Sequence, residues 1–355
     1  MSISVIIVTW NSERRLPLAL RSLAAQTMRD FSVIVVDNAS SDRSVAIVRE
    51  ECPGAAVIRN SRNLGLDRGW NQALSYVGAH LAAGRDDHWV LLVNDDAVLA
   101  PDFVERIMNR VERRPDIGSA TGLVCRATDA ADDFGEPVMT EVIDTAGLRA
   151  SRSRRFSDRG AGLEVTERFL RLEEVFGVSG CVALFRWSAL EEAKVGGEWF
   201  DGDFYMYRED TDLAWRLRLF GWKSLYVPEA RAWHFRTAAA SPRRTVLGEI
   251  RRRRLRSRMV QCKSFRNHLL TMVKNDRPAD VLRDAPWIFG EVILQSSYLL
   301  LFQPRAWLCA WREFFALLPA ALHKRRAIMR RTKADRGEMR RWLVGDRNQE
   351  TGDRR

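Results

Sequence analysis

The stretch that most constrains this chain is Trp89-Val90-Leu91-Leu92-Val93-Asn94-Asp95-Asp96, five apolar residues that end in an amide and two carboxylates. An unbroken apolar run of that length is what a central parallel strand needs when both of its faces are covered. Ligands of open α/β sheets sit just past the carboxyl ends of such strands. Asn94, Asp95 and Asp96 therefore stand where chemistry is expected. Neighbouring carboxylates repel each other and call for a compensating cation, and oxygen ligands suit Mg²⁺ or Mn²⁺. The competing reading makes Asp95 or Asp96 the cap of a helix that starts near Pro101.

Strand and helix patterns alternate on both sides of this run. Residues 3–8 read as a strand closed by Thr9-Trp10-Asn11-Ser12, where Asn11 or Ser12 can cap a helix striped by Leu16, Leu20 and Leu23. Phe31 to Val36 is a second strand, followed by the cap-rich loop 37–42 and a helix with Val45, Val48 and Cys52 on one side. Residues 55–59 lead into Asn60-Ser61-Arg62-Asn63-Leu64-Gly65 and a helix marked by Trp70, Ala73, Leu74, Val77 and Leu81. Beyond the central strand come a helix through Phe103, Ile107, Met108 and Val111 and a strand over 117–124. This alternation predicts βαβ units and a doubly wound, mostly parallel sheet. From about 126 to 175 the pattern weakens, and a long loop region with one hairpin near Gly147 is expected, with order returning at 176–187.

Several polar residues look placed for a nucleotide. Asp37, at the end of a buried strand, can accept from the imide N–H of a uracil- or thymine-like base, while Asn11, Arg62, Asn63 and backbone amides can reach ribose and phosphate; turn and cap chemistry is the plainer alternative. No G-x-G-x-x-G follows the first strand and no G-x-x-x-x-G-K-[ST] occurs, which excludes a standard dinucleotide fold and a P-loop. Ser179, Gly180 and Cys181 are small enough to let a ligand approach the backbone. A second acidic cluster, Glu209, Asp210 and Asp212, falls in the first turn of a helix that carries Arg216 and Arg218 in its last turn and stops at Gly221. The helix dipole alone accounts for that arrangement. Trp199, Phe200, Phe204, Tyr205 and Tyr207 just upstream point to more, because an aromatic wall desolvates a carboxylate and stacks on a sugar. His234 offers an imidazole to a metal.

Charge divides the chain. Residues 1–240 carry 30 Lys and Arg against 35 Asp and Glu, and residues 241–355 carry 27 against 11. The basic excess of the last third suits an anionic membrane surface or another polyanion. An Arg-rich nucleic-acid binder would leave the acidic first two thirds unexplained, so no nucleic-acid partner is expected. The segments 287–302 and 307–318 read as aromatic-rich amphipathic helices lying in a membrane interface, the first too interrupted to cross, with packing on the catalytic part or a second subunit as the alternative. Five cysteines without metal-type spacing and a chain that enters its first strand at once predict reduced thiols, no signal peptide and a cytoplasmic setting. The expected organisation is a catalytic domain over 1–240 (nucleotide half 1–125, catalytic half 126–240), a basic helical region over 241–332 and a disordered tail from 333.

VIIVTWNS (5–12), VVDNASSD (35–42), NSRNLGLDRGWN (60–71), LLVNDDA (91–97), VSGCVALFR (178–186), and FDGDFYMYREDTDLAWRLRLFGW through PEARAWH (200–234) together resemble the inverting glycosyltransferases of family two, with the GT-A fold, and most closely their bacterial rhamnosyltransferase-like branch. The resemblance implies a nucleoside-diphosphate sugar donor, dTDP-rhamnose for this branch, bound by Thr9, Asn11, Asp37, Arg62, Asn63, Gly65, Asn71, Asn94 and Asp95. It implies a divalent cation, Mg²⁺ or Mn²⁺, on Asp96 and His234, and Asp210 as general base with Glu209 beside it. Gly180, Trp199 and Tyr207 would meet a lipid-linked or polysaccharide acceptor of the cell envelope, on the inner face of the membrane. The metal motif departs from the family at Asn94 and Asp95, which leaves Asp95 and Asp96 competing as main ligand. The chemistry is consistent: a metal-held diphosphate leaves without an acid, so one base suffices, whereas a two-carboxylate hydrolase needs both. A nucleotidyltransferase of similar fold, releasing pyrophosphate, is the remaining enzyme alternative.

Overall fold

A computed structural model of the chain describes residues 2–85, 87–129, 137–235 and 257–343. Of the Arg-rich stretch Arg251–Arg258 in the basic last third, residues 251–256 lie outside the described residues. Strands β1 (Ser2–Thr9), β2 (Phe31–Asp37), β3 (Ala56–Arg59) and β4 (His88–Val93) are mutually parallel in the spatial order β3-β2-β1-β4. Helices α1 (Leu16–Ala24), α2 (Ser44–Glu51) and α3 (Leu66–His80) connect them. All six residues of β4 are buried, as its apolar run predicts. The sheet continues through β11 (Val182–Arg186), antiparallel to β4, then β6 (Ile117–Thr128), β12 (Lys223–His234) and β10 (Glu173–Val175). Strand β5 (Ala97–Leu99) pairs with β12 and β7 (Val138–Thr145) with β6. α1, α2 and α4 (Phe103–Val111) cover one face of the sheet; α3, α5 (Trp187–Ala193) and α6 (Glu209–Leu219) cover the other. Phe103, fully buried between α4 and β6, contributes about 1.5–3 kcal/mol by that burial.

Several expectations are corrected here. β5 stands between the Asp95-Asp96 pair and α4, whose cap is Asp102, so neither carboxylate caps that helix. Neither Asn11 nor Ser12 caps α1: its cap position is Arg15, and Asn11, at φ 50°, ties the first loop to the second by accepting from Ser41 N at 2.8 Å. The region 126–175 is not mainly loop. β6 runs on to Thr128, β7 follows, and β8 (Leu148–Ala150) pairs with β9 (Phe156–Asp158) across the hairpin region.

The boundary at 240 cuts through a shared polar interior. Helix α7 (Arg258–Asn275) sets Lys274 Nζ 2.5 Å from Asp201 and 2.9 Å from Asp212, both buried. Arg154 reaches Asp276 at 2.6 Å and Asp284 at 2.7 Å. Helices α8 (Pro278–Phe302) and α9 (Pro304–Arg331) pack back on α7 around Phe265, Leu269, Leu299 and Ala310. α8 is continuous over 25 residues with a mean hydropathy of 1.3 in its most apolar window, long and apolar enough to cross a membrane, where the sequence had indicated an interrupted interfacial segment. The tail is not disordered from 333: α10 (Arg336–Trp342) follows, and Met339 and Leu343 are buried against Phe176, Trp215 and Phe220.

Candidate active site

The carboxyl ends of β1, β2 and β4 bring Thr9, Asp37 and Asn94-Asp95-Asp96 to one edge, and β12 ends there with His234. His234 Nε2 lies 3.1 Å from Asp96 Oδ1 and its Nδ1 lies 2.8 Å from Asp144 Oδ2. Asn94 Nδ2 is 3.4 Å from the same Nε2. Burial alone would push the imidazole down, but its bonds to Asp144 and Asp96 outweigh that and hold it up at about 9. A histidine whose Nδ1 is fixed by a carboxylate presents Nε2 for coordination, and a neighbouring carboxylate oxygen completes a donor set suited to Mn²⁺ or Mg²⁺. Cys181 also brings its sulfur within 4.8 Å of the ligand atoms of Asp144 and His234. Arg15 Nη1 stands 3.9 Å from Asp96 Oδ2 and donates to Phe235 O at 2.9 Å.

Asp95 faces inward. Burial and the charge of Asp96 raise its carboxyl to about 6, against Ser12, the Trp10 backbone N–H and the Thr9 hydroxyl, which stands nearby without closing a hydrogen bond. Asp37 is 1% exposed; its Oδ1 accepts from Ser40 N at 3.1 Å, while Oδ2, 3.6 Å from Arg59, has no hydrogen-bond partner. Asn63 Oδ1 accepts from Gly65 N at 2.9 Å. Gly65 sits at φ 89°, and a Cβ there would fall 2.5 Å from Tyr205 O, so only glycine fits.

The second acidic motif meets the first through a dipeptide. Gly180 N–H donates to Asp210 Oδ2 at 3.3 Å, and the next residue, Cys181, accepts from Asn94 N–H at 2.9 Å. Burial first, then the charge of Asp158, raises the Asp210 carboxyl, while the N–H groups of Thr211 and Gly180 restrain the rise. Glu209 is pushed to about 8 by burial and by Asp210, and its Oε2 is buried without a hydrogen-bond partner. Tyr205, Tyr207 and Arg208 hold positive φ values of 71°, 69° and 73° directly before this pair. Such strain costs of order 1 kcal/mol or more per residue and gathers at functional sites.

Three of the assigned residues are engaged within the protein itself. Trp199 is no sugar platform: it is 4% exposed, packs on Trp187 at 5.8 Å between centroids and donates to Glu191 at 3.1 Å. Phe200 and Phe204 are core as well, which leaves Tyr205 and the 41% exposed Tyr207 of the aromatic wall near the surface. Asn71 is a splint rather than a donor contact, its amide accepting from Trp199 N and Phe200 N and donating to Phe200 O at 2.8 Å. Gly180 serves Asp210, and a Cβ on it would meet Trp70 at 2.8 Å. Sequence reasoning missed Asp144, Asp158, Arg15 and Asp67. The first two lie in the stretch read as loop; an aspartate ending the apolar pair Val142-Ile143 was the available signal for Asp144.

A parallel nucleotide-binding half, an antiparallel strand beside the central one and a carboxylate–imidazole pair at the junction define a glycosyltransferase of the GT-A type. The glycosyl transferase family 2 model matches residues 4–193, and the chain belongs to that family. It is 30% identical over 240 residues to the N-acetylglucosaminyl-diphospho-decaprenol L-rhamnosyltransferase of Mycobacterium tuberculosis, covering 65% of this chain and 75% of that protein. Among solved structures it is similar to GalNAc-T7 with UDP, GalNAc and Mn²⁺, with a TM-score of 0.56, 13% identity and coverage of 90% of this chain and 57% of the other. It is also similar to S. aureus TarS 1–349 in complex with UDP, with a TM-score of 0.50, 16% identity and coverage of 92% and 88%. At these identities the structural likenesses establish the fold.

Proposed function

We propose that this enzyme is a metal-dependent inverting glycosyltransferase that moves a sugar, rhamnose by likeness to the mycobacterial relative, from a nucleoside diphosphate to a sugar carried on a lipid diphosphate. The observation that carries the reading is the Gly180-Cys181 link, which sets the Asp210 carboxylate beside the strand end bearing Asn94 and Asp96. Asp96 and His234 would hold the divalent cation, which neutralises the charge that gathers on the departing diphosphate. Asp95, engaged with the first loop, supports the motif from behind. The vacant Oδ2 of Asp37 would accept from the base, with Thr9, Asn11, Asn63 and Gly65 shaping the loops around the nucleotide.

Asp210 accepts the proton of the acceptor hydroxyl as that oxygen attacks the anomeric carbon in line with the leaving group, so the configuration inverts in one displacement. A carboxylate raised above its usual range is the stronger base for this task. Glu209 keeps a proton near neutrality and adds no second charge. Arg15, near Asp96, can follow the phosphate charge.

The catalytic unit includes α7 and α10, and α8 and α9 would seat it on an anionic membrane from the cytoplasmic side. Leu282, Phe289, Ile293, Leu294 and Leu301 of α8 are each at least 60% exposed, a face that lipid would cover. The test is release of nucleoside diphosphate from dTDP-rhamnose with Mn²⁺ or Mg²⁺, with and without a GlcNAc-diphospholipid. Acceptor-stimulated, chelator-sensitive release is expected; pyrophosphate release would make the enzyme a nucleotidyltransferase, and chelator-insensitive transfer would remove the metal.

A further inference from the structure

A cavity of about 510 Å³ opens beside the start of α3, lined among others by Arg62, Arg68, Tyr205, Arg266, Glu313 and Leu317. Asn94, Asp96, Asp210 and His234 do not line it. Its acids are neutralised from within: Glu313 accepts from Lys263 at 2.9 Å and Arg266 at 2.5 Å, and Asp203, also at the wall, is 2.9 Å from Lys324. Arg266 is further spent on the Asp203 and Phe204 carbonyls. Arg62 and Arg68 are exposed, and among the described residues neither has an ion pair or hydrogen bond. Two free guanidinium groups thus face a space whose other charges cancel. Leu64, Ala316 and Leu317 give the same cavity an apolar part, which comes partly from α9.

We infer that this cavity binds the diphosphate of a polyprenyl-diphosphate acceptor, on Arg62 and Arg68, with the first isoprene units against Leu64, Ala316 and Leu317. This rests on the lipid-acceptor reading above. A planar guanidinium pair matches a diphosphate's oxygens, and the apolar lining of Leu64, Ala316 and Leu317 gives the start of a prenyl chain a surface that a nucleotide would have no use for. The cavity wall leads to the base: Tyr205 O accepts from Leu66 N–H at 3.0 Å, and the chain from Tyr205 runs through Tyr207 directly into Glu209-Asp210. An acceptor fixed by its diphosphate would therefore present its first sugar toward Asp210. The Arg62 of the nucleotide-binding set belongs, on this geometry, to the acceptor.

The experiment uses the full chain with two surface variants, Arg68→Ala, which removes a charge, and Ala316→Trp, which fills the cavity from α9. Calorimetry with farnesyl diphosphate and, separately, with dTDP distinguishes the two sources of a diphosphate. Weakening of farnesyl diphosphate by about tenfold or more in both variants, the loss expected for one charge-assisted contact, with dTDP affinity unchanged, supports the site. Transfer to farnesyl-diphospho-GlcNAc should then show a raised KM, while KM for octyl β-GlcNAc, which lacks the diphosphate, stays put. Unchanged farnesyl diphosphate binding, an equal loss of dTDP binding, or an effect confined to sedimentation with phosphatidylglycerol vesicles each overturns it. Binding of farnesyl diphosphate without transfer to either GlcNAc compound keeps the site and removes the acceptor sugar proposed above.

Discussion

Asn267 on α7 belongs to no acidic motif, yet the geometry makes it a positioning residue for the base. Its side chain is fully buried, and Nδ2 donates to the carbonyls of Phe204, Met206 and Tyr207 at 3.1, 2.9 and 2.8 Å. An amide has two N–H groups, so Asn267→Ala deletes the equivalent of two hydrogen bonds, and each orphaned buried carbonyl costs about 1–3 kcal/mol. The segment it clamps holds three positive-φ residues, each strained by about 1–3 kcal/mol. The two sums are similar in size, so the loop should escape by relaxing its backbone rather than by unfolding the domain. That relaxation moves Asp210, and a misplacement of about 1 Å costs on the order of 10²-fold in rate. Initial-rate transfer assays, donor calorimetry and thermal melts together read the outcome. Expected are a kcat lowered about 10²-fold, donor affinity within a few-fold and a Tm loss of only a few degrees. Asn267→Asp, the same shape without a donor, should reproduce the kcat loss. A normal kcat in either variant would refute the clamp, and kcat falling together with donor affinity and a collapsed Tm would make the residue merely structural.

Asp210→Asn should lower kcat by roughly 10²- to 10⁴-fold while donor affinity holds, and Glu209→Gln should cost less. The reverse order of losses transfers the base to Glu209. Asp96→Ala should abolish the Mn²⁺ dependence of donor binding, measured by calorimetry with and without chelator. Asp95→Ala should instead lower the Tm, because Asp95 stands among Thr9, Trp10 and Ser12 of the first loop; a metal-selective defect in Asp95→Ala would exchange the two roles.

The parallel half was legible because its strands are continuous apolar runs and its helices carry plain stripes, as Val90 to Val93 and Phe103, Ile107 and Val111 illustrate. The half that escaped uses other signals. β7 is an edge strand whose first residues are largely exposed, so Met139, Thr140 and Glu141 give no alternation to read, and Asp144 was lost with it. α7 is integral to the catalytic unit, and beside the apolar Cys262, Phe265, Leu269 and Leu270 it buries Gln261, Arg266, Asn267, His268, Thr271, Lys274 and Asn275. Polar groups buried against polar groups add nothing to a hydrophobic period, and the basic residues of this helix were read as surface charge. Lys274 and Lys324 instead neutralise Asp201, which composition cannot reveal.

What separates the acids of this site is how much of each is already spent. Asp201 and Asp212 are consumed by Lys274, Lys324, Arg216 and Asn275, and one oxygen of Asp144 by His234. Asp67, at the start of α3, is the extreme opposite: it is wholly buried, and neither oxygen has a hydrogen-bond partner. Burial, then the charges of Glu209, Asp201 and Asp212, hold its carboxyl well above the ordinary value, with Lys274 the counterweight. The folded chain therefore keeps a proton on Asp67 that the unfolded chain releases above about pH 4. Native protein binds more protons than unfolded over that range, so this group's contribution to stability is greatest in acid and declines as pH rises, by at most about 1.4 kcal/mol per pH unit. Asp67→Asn puts an uncharged amide where a neutral carboxyl stands and removes the slope. The variant's Tm relative to wild type should accordingly improve between pH 5 and pH 8. An equal deficit at both pH values would mean that Asp67 is ionised in the fold and held by a partner, and Glu209, the neighbour whose charge acts on it most strongly, would then have to carry the proton alone.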